Sequence, residues 1–75
     1  MEQGYVLLAS SPMKEKEVRE ALTAKHNVLE WYDIFGEYDI IVKGEAENMQ
    51  KLETDLAQII GVIDYRSLGK ILENN

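Results

Sequence analysis

The order of apolar runs along these 75 residues predicts an α+β fold. Its expected form is a ferredoxin-like βαββαβ sandwich, a four-stranded antiparallel sheet with two helices on one face. Three observations carry the prediction. Tyr5–Ala9 and Tyr38–Val42 are short, continuous apolar runs, the pattern of strands buried on both faces. Each run is followed by a stretch of helical spacing and then by a weaker strand pattern. Gly36-Glu37 divides the chain into two βαβ-like halves of roughly 30 residues, the length such a unit needs. In this fold the first and third strands are central, and those are the two with continuous apolar runs.

The first strand, Tyr5–Ala9, ends at Ser10-Ser11-Pro12, a helix start. Ser11 is expected to cap, and Pro12 suits the first helical position because its φ is preset and it has no N–H to leave unpaired. The first helix should run to about Lys25, with Val18, Ala21 and Leu22 inward and Met13 near its start. Glu15 and Arg19 make a favourable i,i+4 pair on its outer face. Asn27 offers a left-handed stop, and Lys25 and His26 suit the negative end of the helix dipole.

Val28–Phe35 is rich in β-branched and aromatic residues and predicts the second strand. Strict alternation puts Leu29, Trp31 and Phe35 on one side and Val28, Tyr32 and Ile34 on the other. Gly36 at the first central position of a two-residue loop predicts a type II′ hairpin leading into Tyr38–Gly44. The second helix is expected over about Asn48–Ile60, where Met49, Leu52, Leu56, Ile59 and Ile60 form one stripe, and Gly61 is its stop. Val62–Leu68 is the last strand, with a possible extension to Leu72, and the tail Glu73-Asn74-Asn75 is expected to fray.

Composition bounds the function. Residues 1–75 make a single domain, and a domain this short buries only about 60% of its unfolded surface. Small domains compensate with disulfides, a metal or assembly, and the absence of cysteine removes the first and every thiolate metal site. Assembly is the remaining route. Two helices cover one sheet face, so central strands apolar on both faces imply that the other face meets a second sheet, most simply in a two-fold homodimer. A net charge of −6 argues against direct nucleic-acid binding, which rests on neutralising phosphates with Lys and Arg. The N-terminus has no basic region, and its apolar run is too short for a signal peptide or a membrane span. A cytoplasmic address follows as the expectation.

Catalytic chemistry finds no support. His26 is the only histidine, the serines lack a base-and-orienter set, and the glycines form neither a GxGxxG nor a GxxxxGK[ST] loop. No catalytic residue, cofactor or metal is expected. The aromatics Trp31, Tyr32 and Phe35 lie on a predicted edge strand beside Glu30 and Asp33, a poor setting for an RNA-stacking platform. One segment stands out, Phe35-Gly36-Glu37-Tyr38-Asp39. Amides at a glycine turn can receive a carboxylate, and Asp39 can receive an ammonium, the two poles of an α-amino acid. The plainer alternative is a hairpin whose Asp39 accepts from turn amides.

Gly36-Glu37-Tyr38-Asp39-Ile40-Ile41-Val42, with Val28–Ile34 before it, resembles the hairpin of the effector domain of Lrp/AsnC transcriptional regulators, the RAM domain. Glu17–Leu22, Ala46–Met49 and Gly61-Val62 are similar to other pieces of that domain, in the same order. The helix-turn-helix domain of full regulators has no counterpart here, so the chain resembles a stand-alone RAM module. The resemblance implies a non-enzymatic module for binding an amino-acid-like effector and for assembly, in homodimers that join as oligomers of dimers. Full-length Lrp/AsnC regulators are a further partner it allows. It also implies ligand-binding positions at Gly36, Glu37, Tyr38, Asp39, Tyr65 and Ser67, although Tyr65 stands where the family usually has threonine. The alternatives are a small dimeric ferredoxin-like enzyme and a purely structural partner of full-length regulators.

Overall fold

A computed structural model describes residues 1–72 of the chain. The elements are β1 (Glu2–Ser10), α1 (Glu15–Ala24), β2 (Val28–Asp33), β3 (Ile40–Ala46), α2 (Met49–Ala57) and β4 (Val62–Lys70). They form one four-stranded antiparallel sheet in the order β2-β3-β1-β4. The expected βαββαβ topology is therefore the observed one, with the two most apolar strands at its centre. The tail 73–75, for which fraying is expected, lies outside the described residues.

Both helices cover the same sheet face, and the core lies between the layers. Val6 and Leu8 of β1, Ile40 and Val42 of β3, Val18 and Leu22 of α1 and Leu52 and Leu56 of α2 are the fully buried side chains. Gly4 and Gly44 sit opposite each other under α2. A Cβ at Gly44 would lie 2.7 Å from a Leu52 methyl, and one at Gly4 would collide with Met49, so this glycine pair lets α2 rest directly on the sheet. Among the described residues no helix is long and apolar enough to cross a membrane.

Local departures have identifiable causes. Helix α1 starts at Glu15 without a side-chain cap, because it begins four positions after Ser11. The Ser11 N–H donates to the Gly61 carbonyl at 2.7 Å and its carbonyl accepts from Lys14 N–H at 2.9 Å, which makes Pro12-Met13 a turn. Met13 is exposed as a result. Asn27 is not left-handed: among the described residues no residue other than glycine has a positive φ. The helix is stopped instead by extended Lys25, and the Asn27 carbonyl accepts from Glu45 N–H at 2.9 Å. Helix α2 begins as expected, with Asn48 Oδ1 accepting from Lys51 N–H at 2.9 Å, but ends at Ala57, which turns Ile60 out to solvent.

Strand β2 carries a bulge at Leu29, since Val28 pairs with Gly44 but Glu30 with Lys43. The extra residue shifts the alternation. Val28 and Trp31 consequently both pack on the core, where strict alternation separates them, and Leu29 is exposed. Strand β4 has two similar irregularities that leave Ile63 and Leu68 outside the pairing.

The uncovered face follows from the register. Tyr32, Ile41, Leu7 and Arg66 form one row across all four strands, and Glu30, Lys43, Tyr5 and Gly69 form the next. An apolar centre, Leu7 with Ile41, is thus flanked by tyrosines and by charges of both signs.

Candidate functional site

The connection between β2 and β3 is longer than the two-residue turn that Gly36 alone predicts. It spans Ile34–Asp39, closed by an Ile34 N–H bond to the Asp39 carbonyl at 2.8 Å. The Asp39 N–H is drawn away to the Leu8 carbonyl of β1 at 2.9 Å, which opens the loop instead of tightening it. Gly36 still takes a positive φ, +132°, at a tip with nothing close to it.

Asp39 is held at its carboxylate as well. Its Oδ2 accepts from the Ser10 backbone N–H at 2.8 Å and from Ser10 Oγ at 3.2 Å. Ser10 is the one buried polar residue among the described residues, and this pair closes the end of the β1–β3 ladder. The acceptor role foreseen for Asp39 exists, but it serves β1 and not the turn amides. Its Oδ1 stays free of hydrogen bonds, as do the backbone N–H groups of Phe35, Gly36, Glu37 and Tyr38 among the described residues.

Tyr38 leans toward β4, where its hydroxyl donates to Asp64 Oδ2 at 3.4 Å. The other oxygen of Asp64 accepts from Tyr65 N–H at 2.8 Å. Partial burial, then the neighbouring Asp64 carboxylate, push the Tyr38 phenol above its ordinary range, because both disfavour the phenolate. A phenol raised on folding contributes stability below its unfolded pKa and loses it as pH rises through the folded value. An alkaline absorbance titration of Asp64→Asn should therefore show one tyrosine titrating earlier than in the wild type. An unchanged profile would mean that Tyr38 does not meet Asp64.

The other two candidates lie on β4. Tyr65 lies opposite Leu8 and Ser67 opposite Val6, on the helix-facing side of edge strand β4. Ser67 Oγ accepts from Gly69 N–H at 3.2 Å. Tyr38, bonded to Asp64, brings the loop beside Tyr65, whereas Ser67 has no bond to the loop among the described residues.

A groove of about 360 Å³ runs beside the loop, lined by Glu15, Arg19, Asp33, Ile34, Phe35 and Asp39. Arg19 reaches from α1 to Asp33 at 3.0 Å, and its expected partner Glu15 is 4.0 Å away. Of these, Asp39 is a ligand-binding position expected from the sequence, and Phe35 belongs to the segment that stands out there. The Arg19–Asp33 link, fourteen positions apart, has no local periodicity that would announce it. The site thus offers free amides for an anion, carboxylates for a cation and an apolar wall. Among the described residues no cluster of His, Cys, Asp or Glu could hold a metal ion.

Comparison with known proteins places this geometry in context. The profile of the Lrp/AsnC ligand binding domain matches residues 5–68. No curated protein sequence matches the chain. Among solved structures, FFRP-DM1 is 30% identical, with a TM-score of 0.75 over 91% of this chain and 96% of that one. The hypothetical protein PHS023 of Pyrococcus horikoshii is 32% identical, with a TM-score of 0.75 over 97% of this chain and 93% of its own. A transcriptional regulator of Neisseria meningitidis, NMB0573, solved in complex with L-Met, shares the fold at 17% identity and a TM-score of 0.80. There the match covers 96% of this chain but 50% of the regulator.

Proposed function

The chain belongs to the Lrp/AsnC ligand binding domain family, and on that premise we propose that it binds an α-amino acid or a close analogue at the β2–β3 loop. It is a ligand-binding module and not an enzyme. The observation that carries the reading is the pairing of four unbonded loop amides, Phe35 to Tyr38, with a carboxylate whose Oδ1 is free at Asp39. Amides receive the ligand carboxylate and Asp39 receives its ammonium. Gly36, Glu37 and Tyr38 line the anion end in this reading. In this reading Tyr65 and Ser67 of β4 complete the site. The chain acts in the cytoplasm as a homodimer joined through the open sheet face, and dimers assemble further. The likeness in fold to a regulator that binds L-Met supports an amino-acid ligand.

Calorimetry against the twenty amino acids, with light scattering for mass, tests the proposal. Asp39→Asn should weaken the best ligand about ten- to a hundred-fold, the worth of one charge-assisted contact of about 1.5–3 kcal/mol. The melting temperature should hardly move, because the amide oxygen of Asn still accepts from Ser10 N–H. A collapsed melting temperature with unchanged affinity per folded protein would make Asp39 a structural residue only.

A further inference from the structure

A separate groove lies in the helix layer, away from the open sheet face and the β2–β3 loop. Helices α1 and α2 pack chiefly on the sheet and little on each other, because their buried residues, Val18 with Leu22 and Leu52 with Leu56, face it. Between them is a space of about 470 Å³ whose walls include Glu17, Ala21, Lys25, Asp55, Ile59 and Ile60. Glu17, Ala21 and Lys25 follow one another at four-residue steps, so small Ala21 leaves a dip between two longer side chains on one edge of α1. Buried Ile59 lies opposite, and Ile60, turned outward where α2 has ended, is 80% exposed. Small-molecule sites have this character: about 300–1,000 Å³, mostly apolar walls and a few placed polar groups.

The charged groups decide what fits. Both carboxylates of the groove are engaged, Glu17 with Lys14 at 3.6 Å and Asp55 with Lys51 at 3.3 Å. Lys25 has no ion-pair partner among the described residues, although acids outnumber bases fourteen to eight in the chain. It is also half-buried, and outside the open sheet face no other half-buried Lys or Arg among the described residues is unpaired. A ligand ammonium entering the groove would find no free carboxylate, and a desolvated ammonium without a partner is costly. A ligand carboxylate would find Lys25.

We infer that the α1–α2 groove binds an aliphatic carboxylate that lacks an α-ammonium group, with its head on Lys25 and its tail on Ala21, Ile59 and Ile60. The chemistry is the reverse of that at the β2–β3 loop, where Asp39 is there to receive an ammonium. The groove takes the deaminated counterpart of an apolar amino acid. Because the two sites share no residue, this one stands whether or not the loop takes an amino acid.

Isocaproate and L-leucine share one carbon skeleton and differ by the α-ammonium group; isohexanol keeps the skeleton without the charge. Titrating the whole, isotope-labelled chain with each, and following its amide NMR signals, shows both whether and where binding occurs. Isocaproate should shift the amides of Ala21, Lys25, Ile59 and Ile60 saturably, with a dissociation constant on the order of 1 mM, as suits a ligand of about eight non-hydrogen atoms. L-leucine and isohexanol should bind there at least roughly ten-fold more weakly, the loss expected for one charged contact. Lys25→Met keeps the aliphatic stem and should weaken isocaproate by a similar factor, whereas Lys25→Arg should retain it. Groove amides that do not move with isocaproate, equal groove shifts from L-leucine, or Lys25→Met binding like the wild type would each overturn the site. Isocaproate shifts confined to Gly36–Asp39 would overturn it too, by placing the carboxylate at the loop. The three-ligand comparison is made on the wild type, so it decides the matter even where a variant fails to fold.

Discussion

Gly61→Ala is expected to lower the thermal midpoint by about 10 °C or more. Two costs combine at this position. Its φ is +105°, a region that residues with a Cβ enter at a cost of about 1–3 kcal/mol. The added Cβ would also lie 2.7 Å from Lys14 Cβ and 2.8 Å from Val18 Cγ2, so the turn after α2 must lift away from α1. Overpacking of this kind costs about 1–3 kcal/mol more. A domain of 75 residues has roughly 4–11 kcal/mol of stability in all, and each kcal/mol moves its midpoint by about 4–8 °C. Gly69→Ala is the control: φ is +96° there, but nothing lies within 4 Å of the new Cβ, so only the strain applies. Equal losses at both sites, read by thermal melts, would show that close packing on α1 is not what demands glycine at position 61.

The second large effect is on assembly. Ile41→Asp should convert the dimer to a folded monomer. Ile41 lies on the uncovered face between Tyr32 and Leu7, so its replacement leaves the core of the single chain intact. In the sheet-to-sheet dimer the same position is central, and an unpaired charge buried there costs about 3–5 kcal/mol, a weakening of roughly a hundred- to several-thousand-fold. Lys16→Asp on the exposed face of α1 introduces the same carboxylate away from the sheet and should leave the dimer unchanged. Circular dichroism checks the fold, and sedimentation equilibrium checks the mass. An Ile41→Asp dimer of undiminished affinity would mean that the chains pair through another surface.

Element types and their order were determined by the sequence alone, for a physical reason that acts locally. Apolar residues recur near 3.6 positions where a helix lies on a sheet, and run without interruption where a strand is central. Leu52 and Leu56, or Val6 and Leu8, therefore announce their places with no knowledge of their partners. The helix start near Asn48 is equally local, since its cap acts within a few residues, whereas the stop expected at Gly61 falls at Ala57 and Gln58 instead. Tertiary structure decided what depends on a distant neighbour. Gly36 predicts a tight turn, yet the loop opens because Asp39 bonds to Leu8 and Ser10 of another strand. Ser11 predicts a helix cap, yet its backbone is held in a turn by Gly61 and Lys14 and the helix starts only at Glu15. The bulge at Leu29 follows from register against β3, which strict alternation within β2 does not contain. The groove beside the loop depends on Arg19 reaching Asp33 across two elements. Residues that bond within a turn or a stripe are legible from their spacing, whereas a donor or carboxylate near a chain reversal takes whichever partner the packed fold brings closest.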